Sequence, residues 1–177
     1  DDLAPPPAIH LLVPVADRDR MLWLAEKSAE LNIASWRPVL WQRSRSVTPR
    51  GDGPTFRNKV RARMISALLQ SRSAWLPEIF PEATPDRAIA ASPAGSRFVL
   101  EASGSPINAM PSEAPVVVAI GPEGGFEEQE LLELAEAGFG AVSIGRSVLR
   151  FETAAVAGIA VARALLDSAS FKDAKSS

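Results

Sequence analysis

The chain has 177 residues, and 46% of them are hydrophobic, so it can bury the core of one ordinary domain. It contains no cysteine, which excludes disulfides and thiolate zinc sites. Its single histidine, His10, leaves no material for a histidine metal cluster or a serine–histidine–aspartate triad. The apolar run 154–161 is too short to span a membrane, and no secretory pattern opens the chain. We therefore expect a cytoplasmic protein with no metal site.

The net charge of −2 is unevenly distributed along the chain. Nine of the 19 lysines and arginines lie between Arg37 and Arg72, where Asp52 is the only acid, so this basic segment carries +8. Lysine and arginine displace condensed counterions from a polyanion, and a solvated helix face usually mixes both signs. We therefore favour a nucleic-acid-binding surface over a merely solvated one, with these candidate contacts: Arg43, Arg45, Arg57, Lys59, Arg61 and Arg72.

The pattern of apolar residues predicts alternating strands and helices in the first half of the chain. Strands are expected at 9–13 and 37–41, and Asp17 or Asp19 is expected to cap the helix between them. A basic helix is predicted over 55–71, and four of its residues should face inward: Val60, Met64, Ala67 and Leu68. The proline-rich stretch 77–95 supports neither a helix nor a strand.

The second half of the chain has a clearer pattern. Short apolar runs predict strands at 98–102, 116–120 and 141–144, and helices are predicted at 127–137, where Gly138 ends the helix, and at 152–166. This alternation predicts an α/β domain with a mainly parallel sheet and helices on both faces. We expect residues 1–8 to be a linker, residues 9–168 to form the domain and residues 169–177 to be a flexible tail.

Two glycine-bearing loops each join a predicted strand to a predicted helix. They are Gly121–Phe126 and Gly145–Arg150. Ligands of open α/β sheets bind beyond the carboxyl ends of the strands, so both loops are expected to line one cavity; a tight structural turn is the alternative. The first loop has no phosphate-binding glycine pattern and no lysine, and it carries Glu123. These features favour a cationic ligand without phosphate over the nucleotide of an unrelated α/β enzyme.

The same loops resemble those of a known family. The segments Ile120–Phe126, Ile144–Gly145, Leu149–Arg150 and Glu152–Ala154, in this order and spacing, resemble the C-terminal signature of the ribosomal RNA small subunit methyltransferase E family, which belongs to the SPOUT superfamily. Earlier stretches are also similar, including Glu26–Leu31, Arg43–Ser44 and Gln70–Ser71. The resemblance extends from about Ile9 to Leu166.

The resemblance implies an α/β fold with a C-terminal trefoil knot and a homodimer that binds ribosomal RNA or the small ribosomal subunit. It implies that S-adenosylmethionine is the cofactor and that the family reaction methylates N3 of a uridine in 16S rRNA. It adds Gln70 to the candidate RNA contacts and places an RNA-binding β-barrel, which this chain lacks, upstream. The implied cofactor residues are Leu100, Glu101, Ile120, Gly121, Pro122, Glu123, Gly124, Gly125, Ile144, Gly145, Val148, Leu149, Glu152, Thr153 and Ala154.

The expected chemistry is transfer of a methyl group to a nitrogen that must lose its proton. Arg150 is the candidate for orienting the base or its developing negative charge, because a guanidinium offers paired planar donors. Glu123 is the candidate proton acceptor, and Glu152 either contacts the ligand or caps its own helix.

The chain departs from the family pattern at several positions. Phe151 stands where the family has threonine, Asn32 where it has glycine, and Leu69–Ser73 where it reads Glu-Gln-Ser-Gly-Arg. These changes lie nearer the expected RNA side than the cofactor loops. They leave two alternatives open, namely a non-catalytic RNA-binding relative and a methyltransferase with a different RNA target.

Overall fold

A computed structural model describes residues 4–107 and 113–177. The described residues form one sheet of six parallel strands in the order β3-β2-β1-β5-β4-β6. The strands are β1 (Ile9–Pro14), β2 (Ser35–Val39), β3 (Glu78–Ile79), β4 (Ser96–Pro106), β5 (Val116–Ala119) and β6 (Phe139–Ser143). The helices are α1 (Arg18–Glu30), α2 (Gly53–Ser71), α3 (Pro85–Ala91), α4 (Glu128–Glu136) and α5 (Phe151–Ser176).

Helices cover both faces of this sheet, as the sequence predicts. Side chains alternate along each strand, so β1 directs Ile9, Leu11 and Val13 to one face and Leu12 to the other. The first face packs against α1, α2 and α5 and holds the larger apolar cluster. The second face packs against α3 and α4. The mainly parallel α/β prediction is therefore confirmed, while the trefoil knot stays a prediction.

Local signals set most of the element boundaries. Asp17 caps α1, because its Oδ1 accepts the backbone N–H of Arg20 at 3.0 Å. Helix α2 buries the four residues that the periodicity predicts, and α4 gives way to Gly138, whose φ is +87°. Helix α4 also begins with a reciprocal capping box between Glu127 and Glu130.

The structure differs from the predicted elements in three places. The proline-rich stretch contains the two-residue strand β3 and the short helix α3. Strand β4 is longer than predicted, because it continues past an irregularity in its pairing with β6 between Leu100 and Ser105. Helix α5 runs to Ser176, ten residues beyond its predicted end, while the flexible tail at 169–177 stays a prediction. No glycine or proline follows Gly158 to end the helix.

Helix α5 meets the length and composition of a membrane span, although a third of its most apolar window is buried. Soluble core helices can show the same pattern, and α5 packs against α1, β1 and β5. It also carries the buried side chain of Arg163, whose pKa is lowered by burial. This guanidinium donates to the carbonyls of Pro7, Leu31 and Asn32 at 2.8 to 3.2 Å. We therefore interpret α5 as a core helix.

Candidate active site

A cavity of about 380 Å³ lies at the carboxyl ends of β4, β5 and β6. Its walls come from the end of β4, from the loop after β5 and from the segment between β6 and α5. Both glycine-bearing loops therefore border one cavity, at the position where parallel sheets bind their ligands. Twelve of the predicted site residues line it: Leu100, Glu101, Ile120, Gly121, Pro122, Glu123, Gly125, Ile144, Val148, Leu149, Arg150 and Ala154.

Four predicted cofactor residues do not line this cavity: Gly124, Gly145, Glu152 and Thr153. The free face of Gly124 points to Arg43, so a Cβ there would lie 3.2 Å from that side chain. Gly145 adopts a φ of +66°, which fits a turn glycine with open space around it. Thr153 is exposed on the first turn of α5, and Glu152 is buried beside the cavity. These four residues support the loops and the helix start without forming the wall.

Seven wall residues were not among the predicted site residues: Arg20, Ala102, Phe126, Val142, Ser143, Ser147 and Phe151. Phe126 and Ser147 belong to the two loops that were expected to line the cavity, and Ala102, Val142, Ser143 and Phe151 lie within two residues of predicted site residues. Arg20 is different, because it comes from α1 and is about 80 residues away from the other wall residues. No sequence signal in α1 indicates that this side chain reaches the cavity.

The loop after β5 is packed from behind by aromatic rings. Phe126 lies against Gly121, where a Cβ would come within 2.9 Å of the ring. The same ring makes an edge contact with Trp41, with the ring centroids 4.9 Å apart. Trp41 is fully buried on the second face of the sheet, just after β2. The cavity wall at Gly121 is therefore supported by the core.

Hydrogen bonds from the turn after β2 hold the other side of this loop. The Arg43 Nη1 donates to the Gly124 carbonyl at 2.6 Å, and its Nε donates to Glu127 Oε1 at 3.2 Å. The backbone N–H of Gln42 donates to Glu130 Oε2 at 3.0 Å. Arg43 thus supports the loop after β5. Its prediction as an RNA contact overlooked these partners, which lie more than 80 residues away along the chain.

We expect Arg43→Ala to weaken S-adenosylmethionine binding about tenfold, which corresponds to about 1.4 kcal/mol for the lost support of the Gly124 carbonyl. Arg45→Ala is the matched control, because Arg45 is exposed and only its backbone carbonyl accepts a hydrogen bond, from Arg50. Titration calorimetry on both variants measures the difference. Equal affinities in the two variants would contradict a supporting role for Arg43.

The two predicted catalytic side chains face the cavity from opposite loops. Glu123 lines it and is exposed, but its Oε1 already accepts the backbone N–H of Asp17 at 2.9 Å. Only its second oxygen is available to a ligand, so Glu123 also ties the loop to the start of α1. Arg150 is exposed at the N-cap of α5, and its side chain donates no cap hydrogen bond.

The candidate RNA contacts other than Arg43 fall into two groups. Arg57 forms an ion pair with Glu82 at 3.5 Å, which leaves it less available to a phosphate. Arg45, Lys59, Arg61, Gln70 and Arg72 are exposed, and none of them has an ion-pair partner within 4.0 Å among residues 4–107 and 113–177. The basic segment therefore keeps an exposed cationic surface on and around α2.

A second, smaller cavity of about 150 Å³ lies near the amino ends of β1 and β2. His10 lines it, with its Nδ1 2.6 Å from the Ser35 hydroxyl. Burial lowers the pKa of His10, and the nearby Arg37 guanidinium lowers it further. Arg37 itself stacks on the Phe80 ring at 3.8 Å. These contacts match a satisfied, half-buried histidine.

Comparisons with known proteins bear on the larger cavity. The family model for an RNA methyltransferase domain matches residues 4–163. A crystal structure of a ribosomal RNA small subunit methyltransferase E from Neisseria gonorrhoeae, bound to S-adenosylmethionine, is 29% identical. Its TM-score is 0.82, and the match covers 90% of this chain and 67% of that one.

A second solved structure, assigned as a methyltransferase from Legionella pneumophila, also contains the cofactor. It is 29% identical, with a TM-score of 0.83, and the match covers 90% of this chain and 66% of that one. The chain therefore spans about two thirds of the length of these solved relatives.

A curated relative gives a shorter match in sequence. The ribosomal RNA small subunit methyltransferase E of Mesomycoplasma hyopneumoniae is 38% identical over 50 residues, which are 28% of this chain and 22% of that protein. The resemblance noted from the loop segments agrees with this match. Because the family model covers most of the chain, the chain belongs to the RNA methyltransferase domain family.

Proposed function

We propose that this chain is a catalytic domain that binds S-adenosylmethionine in the larger cavity and methylates ribosomal RNA in the cytoplasm. The target proposed is N3 of a uridine in 16S rRNA. The observation that carries the proposal is the convergence of both glycine-bearing loops on one cavity at the carboxyl ends of three strands. The similarity to relatives solved with this cofactor supports it.

The cavity residues fit this cofactor. Leu100, Ile120 and Leu149 supply apolar walls for an adenosine, and the loop glycines allow backbone approach. Glu101 and Glu123 supply carboxylates suited to a cationic ligand. When bound, S-adenosylmethionine supplies an electrophilic methyl group attached to a sulfonium.

The chain's own residues would orient the acceptor and exclude water. The two loops would hold the ligand in a fixed geometry. Alignment of the methyl group with the acceptor nitrogen raises the rate of transfer. Arg150 would hold the target base at the open edge of the cavity, and the free oxygen of Glu123 would accept the proton or a hydrogen bond from the base. Phe151, which replaces the family's threonine, is 4% exposed and lies among core side chains as well as in the wall.

The decisive experiment combines cofactor binding with product analysis. Calorimetry should give binding of S-adenosylmethionine and no binding of ATP or NAD. Radiolabelled methyl groups should then appear in 16S rRNA of undermodified small subunits, and mass spectrometry should identify N3-methyluridine. Cofactor and RNA binding without any methylation would instead favour the non-catalytic RNA-binding alternative, and a different methylated nucleotide would favour a different RNA target.

We expect the exposed part of the basic segment to bind RNA. Changing Lys59 and Arg61 to glutamate should weaken RNA binding. The plot of log affinity against log salt concentration should also become less steep, with a slope that is smaller in magnitude by about 2. Cofactor affinity should not change, because neither residue lines the cavity. Changing Lys172 and Lys175 to glutamate gives the same charge change on α5, outside this segment. Equal salt slopes in the two double variants would show that the basic segment is only solvated.

We also propose a homodimer, as the family resemblance implies. Half-buried apolar side chains of α5, including Val156, Val161 and Leu165, leave a surface that a second copy would cover. Light scattering at micromolar concentration should give twice the chain mass of 18.9 kDa. A monomeric mass would contradict this proposal without affecting the cofactor site.

A further inference from the structure

Arg20 reaches the cavity from the start of α1, which the first loop contacts through the hydrogen bond from Asp17 N–H to Glu123 Oε1. It is the one wall residue from the first half of the chain, and it lies in the first turn of α1, which is packed against α5. Its side chain is 38% exposed, so the guanidinium is at the rim of the cavity and not in the core. Because residues from α1 and from the loops meet here, a ligand in the cavity would lie between them.

Glu152 lies behind Arg20 and is an unusual carboxylate. It is 9% exposed, and its Oε2 has no hydrogen-bond partner in the part of the chain that the structure describes. Its Oε1 is 3.8 Å from Arg20 Nε, which is beyond hydrogen-bond distance but within reach of an electrostatic attraction. Glu152 does not cap α5, since that helix has no side-chain cap hydrogen bond, although its charge suits the helix N-terminus.

Glu152 attracts the Arg20 guanidinium electrostatically but accepts no hydrogen bond from it. Across residues 4–107 and 113–177, the Arg20 side chain makes no hydrogen bond, in contrast to Arg43, which has two acceptors. A guanidinium beside a single buried carboxylate keeps a defined position, while its two Nη groups remain able to donate to a ligand. The geometry therefore points to an acceptor that is not part of the chain.

The Arg20 guanidinium would repel a sulfonium, and it would donate to an electron-rich group such as the carboxylate of S-adenosylmethionine or the carbonyl oxygens of a pyrimidine base. Glu101 and Glu123 are the carboxylates of the wall and suit the cationic cofactor. The imide of a pyrimidine base becomes an anion when the N3–H bond breaks, the electron pair stays on N3 and the proton passes to the free oxygen of Glu123 or to solvent. Its charge is shared with the two flanking carbonyl oxygens, and paired guanidinium donors match this planar group.

We propose that Arg20 contacts the target pyrimidine base and stabilises its N3 anion, and that Glu152 is a positioning residue that orients the Arg20 guanidinium. This proposal rests on the proposed function, because it requires an RNA base to enter the cavity. Helix α1 then provides a substrate contact in addition to the contact that Arg150 provides. A group that stabilises the anion lowers the pKa of the imide, so more of the base is in its reactive form at neutral pH.

The test compares Arg20→Gln, Arg20→Lys and Glu152→Gln with the control Arg18→Gln. Arg18 neighbours Arg20 on the same helix, but it contacts the Phe56 ring and does not line the cavity. For Arg20→Gln we expect cofactor affinity within about twofold of the unchanged chain, a methylation rate about 100-fold lower and a pH–rate profile displaced to higher pH. Arg20→Lys should recover part of the rate, and Glu152→Gln should displace the profile less.

A direct measurement follows the imide itself. The carbonyl shifts of a ¹³C-uridine RNA fragment, bound with S-adenosylhomocysteine, should titrate at lower pH with the unchanged chain than with Arg20→Gln. An Arg20→Gln variant that loses cofactor affinity in parallel with rate, or that keeps the original pH dependence, would overturn the proposal. Failure of the unchanged chain to bind the cofactor or RNA would instead overturn the proposed function on which this inference rests.

Discussion

Gly121→Val is expected to abolish most of the cofactor binding while the domain stays folded. A Cβ at this position would lie 2.9 Å from the Phe126 ring, which contacts Trp41 and also lines the cavity. Either the loop or this ring must therefore move, and both movements change the shape of the cavity. Overpacking of this kind costs about 1–3 kcal/mol, so we expect S-adenosylmethionine affinity to fall about 100-fold.

Gly140→Val provides the matched control for this change. Gly140 is exposed on β6, and a Cβ there would meet nothing closer than Phe98 Cδ1 at 3.9 Å. A β-branched residue suits a strand, so this variant should bind the cofactor as the unchanged chain does. Calorimetry measures both affinities, and circular dichroism checks that both variants are folded. Similar affinities for the two valine variants would place the cofactor outside this cavity.

The contrast between Gly121 and Gly124 illustrates what loop composition can and cannot predict. Both glycines belong to the same predicted loop, and the sequence predicts equally for both that they contact the cofactor. In the structure the free side of Gly121 faces Phe126, and the free side of Gly124 faces Arg43. Which way each Cα points depends on the turn and on partners that are distant in sequence, so the residue type alone could not separate them.

Elements with strong periodicity could be predicted well. Helix α2 differs from its prediction by two residues at its start, and buried strand β5 by one residue at its end. Their apolar spacing is a local signal, so it needs no knowledge of the fold. The predicted convergence of the two loops also follows from a general property of parallel sheets. The short elements β3 and α3 could not be predicted, because their proline-rich sequences do not show a clear periodicity.

Arg20 and Trp41 could not have been assigned to the site for a different reason. Each lies in an unremarkable local sequence and gains its role from a contact about 80 to 130 residues away, with Phe126 or with Glu152. Such pairings are set by the order of the strands in the sheet, β2-β1-β5-β4-β6, which the sequence pattern does not specify. Tertiary contacts of this kind require the structure.

The backbone conformation explains two of the departures from the family pattern. Asn32 and Arg72 stand where the family has glycine, and they have φ values of 59° and 58°. Asparagine tolerates this conformation better than most residues, and the Asn32 Oδ1 also accepts a hydrogen bond from the Ser73 hydroxyl at 2.6 Å. Arg72 ends α2 in the left-handed conformation at a cost of about 1 kcal/mol. Both residues therefore hold a conformation that glycine adopts without strain.

Trp41→Ala is expected to have the largest effect on stability. The indole is fully buried on the second face of the sheet and supports Phe126, so removing it leaves a large cavity and should lower the free energy of unfolding by about 3–5 kcal/mol. Trp75→Ala removes the same side chain where it is 40% exposed, and it should cost much less. Denaturant unfolding measures both losses, and equal losses would contradict the supporting role of Trp41.

Trp41→Phe separates the packing of this residue from its polar atom. The indole Nε1 is buried and has no hydrogen-bond partner among residues 4–107 and 113–177, so its removal relieves an unsatisfied donor. The smaller ring still presents an edge to Phe126. We therefore expect Trp41→Phe to lose well under half of the stability that Trp41→Ala loses, and to bind the cofactor at least tenfold more tightly than Trp41→Ala does. If the two variants were equally destabilised, the indole would be needed for a contact other than its edge packing, and the link from β2 through Phe126 to the cavity wall would not hold.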